Sequence, residues 1–256
     1  EKFESDDKPL SIVLRYELTN EPKLDFEKTD ISTPSSNGKI KLGIIGAGNF
    51  ASTTILPILR DLKRECEVIG VASSGGLSAE VLSRNFKIDN KYSTESEIID
   101  SEEIDAVFIL TQHHNHAELV IKAVNAGKAV YVEKPLALEV ESLVKIEEAM
   151  YNAENAKIFL GFNRRFAEAT QFVKSKLNST PANSINFRFS VPALDKDHWT
   201  NIKEIGGGRI VGEAVHAIDL ASYLFDSLPQ SISASSPLDK ENDVALDNQV
   251  FININF

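Results

Sequence analysis

The chain has 256 residues, 42% of them apolar, with 27 Lys and Arg against 38 Asp and Glu for a net charge of -11. That acidity argues against non-specific binding to nucleic acid or to anionic membranes, and no segment has the length and apolarity of a transmembrane helix. A single cysteine, Cys66, excludes an internal disulfide framework and fits a reducing, cytoplasmic setting.

The chain begins at Glu1 and its one methionine is Met150, as expected of a mature or excised fragment. Residues 1–38 read as the tail of something upstream: one strand, Leu10 to Tyr16, then a polar linker from Leu18 to Gly38 with Pro22, Pro34 and a Ser-Ser-Asn-Gly turn. Residues 39–137 read as a dinucleotide-binding domain. Ile40 to Ile45 is short, apolar and branched, which suits a strand buried on both faces of a parallel sheet. The turn Gly46-Ala47-Gly48-Asn49-Phe50-Ala51 follows it. Gly46 and Gly48 permit a tight turn and close backbone approach, and Ala51 keeps the next helix close to the strand, so that helix offers its N–H groups to a pyrophosphate. Pro57 is compatible with a first-turn position.

The second strand, Glu67 to Ala72, ends in Ser73-Ser74-Gly75-Gly76, where NAD-preferring sites usually place a carboxylate beside the adenosine ribose. Neither a carboxylate nor an adjacent arginine stands there, so NAD and NADP both remain open. Ile104 to Leu110 reads as a further buried strand, followed by Thr111-Gln112-His113-His114-Asn115-His116 and a helix from Ala117 to Ala126. Three histidines in four residues suggest zinc, but consecutive loop residues seldom converge on one ion, so the reading assigns no metal and places this loop on a ligand groove. Gly127 is expected to cap that helix. Ala129 to Val132 then delivers Glu133-Lys134-Pro135 to the same sheet edge. A lysine pressed against a cofactor and an apolar wall can have its pKa lowered, which suits proton exchange coupled to hydride transfer, whereas the tripeptide taken alone reads as a surface lysine at a strand end.

Five segments in register carry a family resemblance: Gly43 to Gly48, Ala126-Gly127-Lys128, Val132 to Ala137, Gly161 to Phe166, and Gly206 to Ile210 through His216 to Asp219. From about Lys39 to Phe256 the chain resembles the Gfo/Idh/MocA family. The resemblance implies an α/β protein, an NAD(P)-dependent oxidoreductase with an N-terminal Rossmann parallel sheet and an α+β domain with a mostly antiparallel sheet, here truncated. It also implies a sugar, cyclitol or nucleotide-sugar substrate and self-association when full length. By analogy, Lys134 contacts the nicotinamide ribose and the substrate hydroxyl, and His216 exchanges the substrate proton. Glu133 helps hold the cofactor; Thr111, His113 and His116 line the nicotinamide half of the groove; Asn163 and Arg164 lie at the mouth shared with substrate. The upstream tail resembles the end of a medium-chain dehydrogenase domain.

One departure counts. Many members place an aspartate four residues before the histidine, where this chain has Gly212 followed by Glu213. Glu213 is either a substitute carboxylate or a charge that stabilises a helix start, and loss of the aspartate keeps a second reading open, a catalytically inactive dinucleotide-binding sensor or regulatory subunit. His216 has an alternative partner in Asp219, one turn on. Trp199, the only tryptophan, either stacks on a sugar face or plugs a core. The glycines 206–208 permit positive φ. Residues 138–256 are read as a connecting helix, Glu139 to about Ala153, and an incomplete substrate and oligomerisation domain with strands at Ile185 to Val191, Ser231 to Ser235 and Asn248 to Phe256, and a helix from His216 to Phe225.

Overall fold

A computed structural model describes residues 38–89, 92–153, 155–177, 184–190, 194–195, 197–237 and 249–256. The strand expected at Leu10 to Tyr16 lies outside the described residues.

The first half is a parallel sheet between helices. Its chain order is β1 (Ile40–Ile45), a helical run whose first turn is π (Ala51–Ile55) and whose remainder is α1 (Leu56–Asp61), β2 (Cys66–Ala72), α2 (Leu77–Phe86), α3 (Glu95–Asp100), β3 (Ala106–Ile109), α4 (His116–Asn125), β4 (Ala129–Val132), α5 (Val140–Asn152) and β5 (Ile158–Leu160). The strands lie in the order β2-β1-β3-β4-β5, every pair parallel. The sheet therefore takes in β5, beyond residue 137. Strand alternation splits the core between two faces. Leu42 and Ile44 pack with α1 and α2, while Ile45 packs with Val107, Val130 and the buried sides of α3, α4 and α5. Fully burying each large aliphatic side chain is worth about 1.5–3 kcal/mol, so these two clusters hold the sheet.

Two glycines explain the sheet's upper edge. Gly46 has φ +106, and a Cβ there would come within 2.6 Å of the Leu110 carbonyl, so the turn after β1 can lie against the end of β3 only with glycine. Gly127 caps α4 in the left-handed region: its N–H donates to the Val124 carbonyl and that of Lys128 to Ala123, the two bonds of a Schellman motif. Pro57 sits in the first turn of α1, after the π turn. The ladder widens just before a residue with no N–H to donate.

The second half contains a 3-10 turn (Asn163–Phe166), α6 (Glu168–Leu177), a 3-10 turn at Trp199–Asn201, α7 (Lys203–Gly206), a π turn (Ile210–Ala214), α8 (Val215–Phe225), β6 (Ser231–Ser235) and β7 (Phe251–Asn255). The two strands form an antiparallel sheet. The strand expected over Ile185 to Val191 is not formed: residues 184–190 are irregular, and Val191 is outside the described residues. Its Ile185-Phe187-Phe189 alternation has the right period, but a strand also needs a neighbour for its backbone groups, and none of the described strands pairs with it. No helix among the described residues is long and apolar enough to cross a membrane.

Candidate active site

The carboxyl ends of β1, β2, β3 and β4 open on a groove of about 950 Å³. In the strand order, β1 lies between β2 and β3, the position at which an open α/β sheet binds its ligand. Gly46, Gly48, Asn49 and Phe50 form its floor, Ser73 and Ser74 one end, and Thr111, His113 and His116 the central wall. Glu133 and Lys134 follow, with Asn163, Arg164, Trp199 and His216 at the far end. Ala51 does not line the groove; it is wholly buried beneath, in the contact between helix and strand. Glu213 lines a separate recess of about 120 Å³, in whose wall Lys134, His113 and Trp199 also take part.

The phosphate end fits a dinucleotide. Among the described residues, a Cβ built at Gly48 meets nothing within 4 Å, so the backbone faces open space there, and no side chain caps the start of the helical run from Ala51 to Asp61. Its first N–H groups and dipole are left for an anion. Further along, the Oγ of Ser73 is buried without a hydrogen-bond partner among the described residues, a polar atom in want of a ligand at the end of β2.

At the other end, Lys134 precedes Pro135 through a cis peptide, and its Nζ donates to the Gly212 carbonyl at 2.8 Å. Burial lowers its pKa, and Arg164 adds to that, while Glu213 and Glu133 oppose it. Glu133 is fixed in turn: the Tyr131 hydroxyl donates to Oε1 at 2.7 Å and the Lys134 N–H to Oε2 at 3.3 Å, and burial raises its pKa. Gly161 backs this carboxylate so closely that a Cβ would lie 2.6 Å from Oε1.

His216 is 8% exposed, and its Nδ1 has no partner among the described residues. Burial lowers its pKa, helped by Lys134 and Arg164, so the ring is neutral near pH 7. Its alternative partner is engaged elsewhere: Asp219 takes both Nε and Nη2 of Arg165, an ion pair between α8 and the turn at Asn163–Phe166. Trp199 meets the edge of His113 with ring centroids 4.8 Å apart and stacks on His198, while still lining the groove. His113 Nδ1 donates to the Gly206 carbonyl at 2.8 Å, and burial brings its pKa down to about 4. His116 turns Nδ1 towards the Pro135 carbonyl and Nε2 towards that of Thr111, and His114 is exposed.

Three features of the site lay beyond the sequence reading. The Gly206 and Gly212 carbonyls are main-chain acceptors, which no residue type announces. The Arg165–Asp219 pair was foreshadowed only by both residues falling in matching segments. Glu95, Glu118 and Lys122 also line the groove, the last two joined as an i,i+4 ion pair.

Residues 40–162 match the model of an oxidoreductase family with an NAD-binding Rossmann fold, Gfo/Idh/MocA. The chain is similar to inositol 2-dehydrogenase/D-chiro-inositol 3-dehydrogenase of Lacticaseibacillus casei, 29% identical over 207 residues, 77% of this chain and 56% of that one. It is 35% identical to levoglucosan dehydrogenase of Pseudarthrobacter phenanthrenivorans over 159 residues, 58% of this chain and 40% of that one. Among solved structures, a levoglucosan dehydrogenase in complex with NADH and levoglucosan has the same fold, with a TM-score of 0.72 at 24% identity over 86% of this chain and 64% of that one. The chain thus spans less than two thirds of the length of each.

Proposed function

Because residues 40–162 match the Gfo/Idh/MocA oxidoreductase family, we propose that the chain is part of a nicotinamide-dependent dehydrogenase of that family. Its reaction would move a hydride between a secondary alcohol of a sugar, cyclitol or nucleotide-sugar and NAD or NADP. The observation that carries this reading is the convergence of Lys134 and His216 at one end of a groove whose other end is the Gly46 to Ala51 turn. The inositol and levoglucosan relatives support the polyol class.

The nicotinamide ring, when bound, accepts or returns the hydride. The protein's own groups hold and move the proton. Lys134, its amine aimed by the Gly212 carbonyl, donates a hydrogen bond to the substrate oxygen. His216, neutral and desolvated, accepts the hydroxyl proton during oxidation and returns it during reduction. Glu133, locked by Tyr131, supports the cofactor side, along with Thr111 and His113. Asn163 and Arg164 engage substrate hydroxyls at the mouth, and the Trp199 ring offers an apolar face to a sugar. Glu213, in the adjoining recess, contributes charge near Lys134. Ser73 and Ser74 offer hydroxyls and no charge to the adenosine ribose, which admits either cofactor.

Calorimetric titration with NADH and NADPH, repeated on Gly48→Asp, tests the reading. Binding that vanishes in a folded Gly48→Asp variant is the expected result, because the new carboxylate occupies the open space where a phosphate would lie. Turnover of myo-inositol or levoglucosan that collapses in Lys134→Ala and His216→Ala separates an enzyme from a cofactor-binding sensor. No binding by the folded chain would overturn the reading.

A further inference from the structure

His116 opens α4, and its ring is completely buried, 0% exposed. It lies between the segments that follow two adjacent strands. Nδ1 is 2.7 Å from the carbonyl of Pro135, beyond β4, and Nε2 is 3.1 Å from the carbonyl of Thr111, beyond β3. A carbonyl oxygen only accepts, so each contact is a hydrogen bond only while that nitrogen carries a proton. A neutral ring can serve one of them, and the shorter contact is the one to Pro135. Burial, with Lys134 nearby, lowers the ring's pKa, against the pull of the two carbonyls.

Pro135 is itself buried, so a donor lost there is not replaced by bulk water. Below the ring, α4 is anchored by Leu119, Val120, Ala123 and Val124, all in the core. The ring is therefore a rigid post on a rigid helix, touching the backbone one residue from Lys134. The amine of Lys134 is fixed at its other end by Gly212.

Taking Lys134 in the role proposed above, we infer that His116 is a positioning residue for it, donating Nδ1–H to the Pro135 carbonyl and so fixing the Glu133-Lys134-Pro135 turn that presents the amine. The two nitrogens of the ring are turned to backbone, so its contribution to the groove runs through this turn.

Two measurements on cofactor-free protein decide it. Nitrogen-15 NMR of histidine-labelled protein reads the His116 tautomer: a proton on Nδ1, with or without one on Nε2, is expected, and a proton on Nε2 alone puts the bond on Thr111 and overturns the inference. Second, the pH midpoint of Lys134 acylation by acetic anhydride, read by mass spectrometry, is compared in wild type, His116→Asn and His116→Leu. His116→Leu is expected to raise the midpoint by about one pH unit, as the amine escapes burial, with His116→Asn staying closer to wild type because it keeps a donor. A folded His116→Leu variant with an unchanged midpoint also overturns the inference, and if that variant does not fold the tautomer decides. NADH titration of the wild type runs alongside: failure to bind would sink the dehydrogenase reading while leaving both measurements valid for the turn.

Discussion

The two halves of the described chain are held by different forces. In residues 39–160 a parallel sheet is packed on both faces by Ile, Val and Leu side chains that are almost fully buried. After residue 160, the buried apolar side chains among the described residues are Ala221 and Leu224, and the other buried side chains there are His216 and Asp219. That half is tied by polar links. Arg165 pairs with Asp219, Gln171 donates to the Tyr223 hydroxyl, and Lys174 donates to the carbonyls of Tyr223 and Leu224 at the end of α8. Two further links, His113 to Gly206 and Lys134 to Gly212, cross from the sheet. An apolar core sets the groove, and directional bonds aim the helix that completes it.

Acid is expected to break this arrangement most. His113, with a pKa of about 4 against an ordinary 6.5, stays neutral in the folded state while the unfolded chain takes up a proton below pH 6.5. The unfolded state then binds more protons, so stability is full above pH 6.5 and is lost as pH falls towards 4, by on the order of 3 kcal/mol. Urea denaturation at pH 7 and pH 4.5 measures it, and His113→Phe should flatten the profile. Next comes Arg165→Ala, which leaves the Asp219 carboxylate, 5% exposed, without its partner. Breaking a fully buried pair costs ~3–5 kcal/mol; Arg165 is 38% exposed, so about 2–3 kcal/mol is expected. Hydrogen exchange should show faster amides in Val215–Phe225 than in the wild type, with the β1–β4 amides unchanged.

Gly161→Ala sharpens the contrast from the other side. Its methyl group would displace the Glu133 carboxylate and crowd the Tyr131 hydroxyl, at a cost of ~1–2 kcal/mol, with NADH affinity down several-fold by titration. The smallest effect is a gain. Among the described residues, a Cβ at Gly212 meets only His113 Cε1, at 3.7 Å, so Gly212→Ala is expected to add up to ~0.5–1 kcal/mol by removing backbone freedom from the unfolded chain, as thermal melting would show.

The same contrast explains what the sequence made legible. β1 to β4 were readable because short runs rich in apolar branched residues, ended by turn or polar residues, have few other uses, and the Gly127 cap followed from its place after an amphipathic segment. The groove residues from Gly46 to Lys134 were readable because they sit where such strands end. β5 escaped notice, being only the three residues Ile158–Leu160. In the second half, the Ile185 to Val191 pattern misled because alternation carries a period and no partner. The polar ties were the least legible: Arg165 and Asp219 are 54 residues apart, and nothing in either residue says which charge it will meet.

The link from Lys134 to Gly212 bears on mutational tolerance. Its acceptor is a main-chain oxygen, supplied by whatever amino acid stands at 212, and the space around that Cα admits a side chain. A library randomised at this codon should retain the amine's anchor across many small residues, aspartate included. The neighbouring Gly207, held at φ +76 with Leu138 and Val211 pressed against the place of its missing methyl, should tolerate almost none. Five residues apart, drift is cheap at the position whose carbonyl holds the Lys134 amine and forbidden at one that makes no contact with that amine.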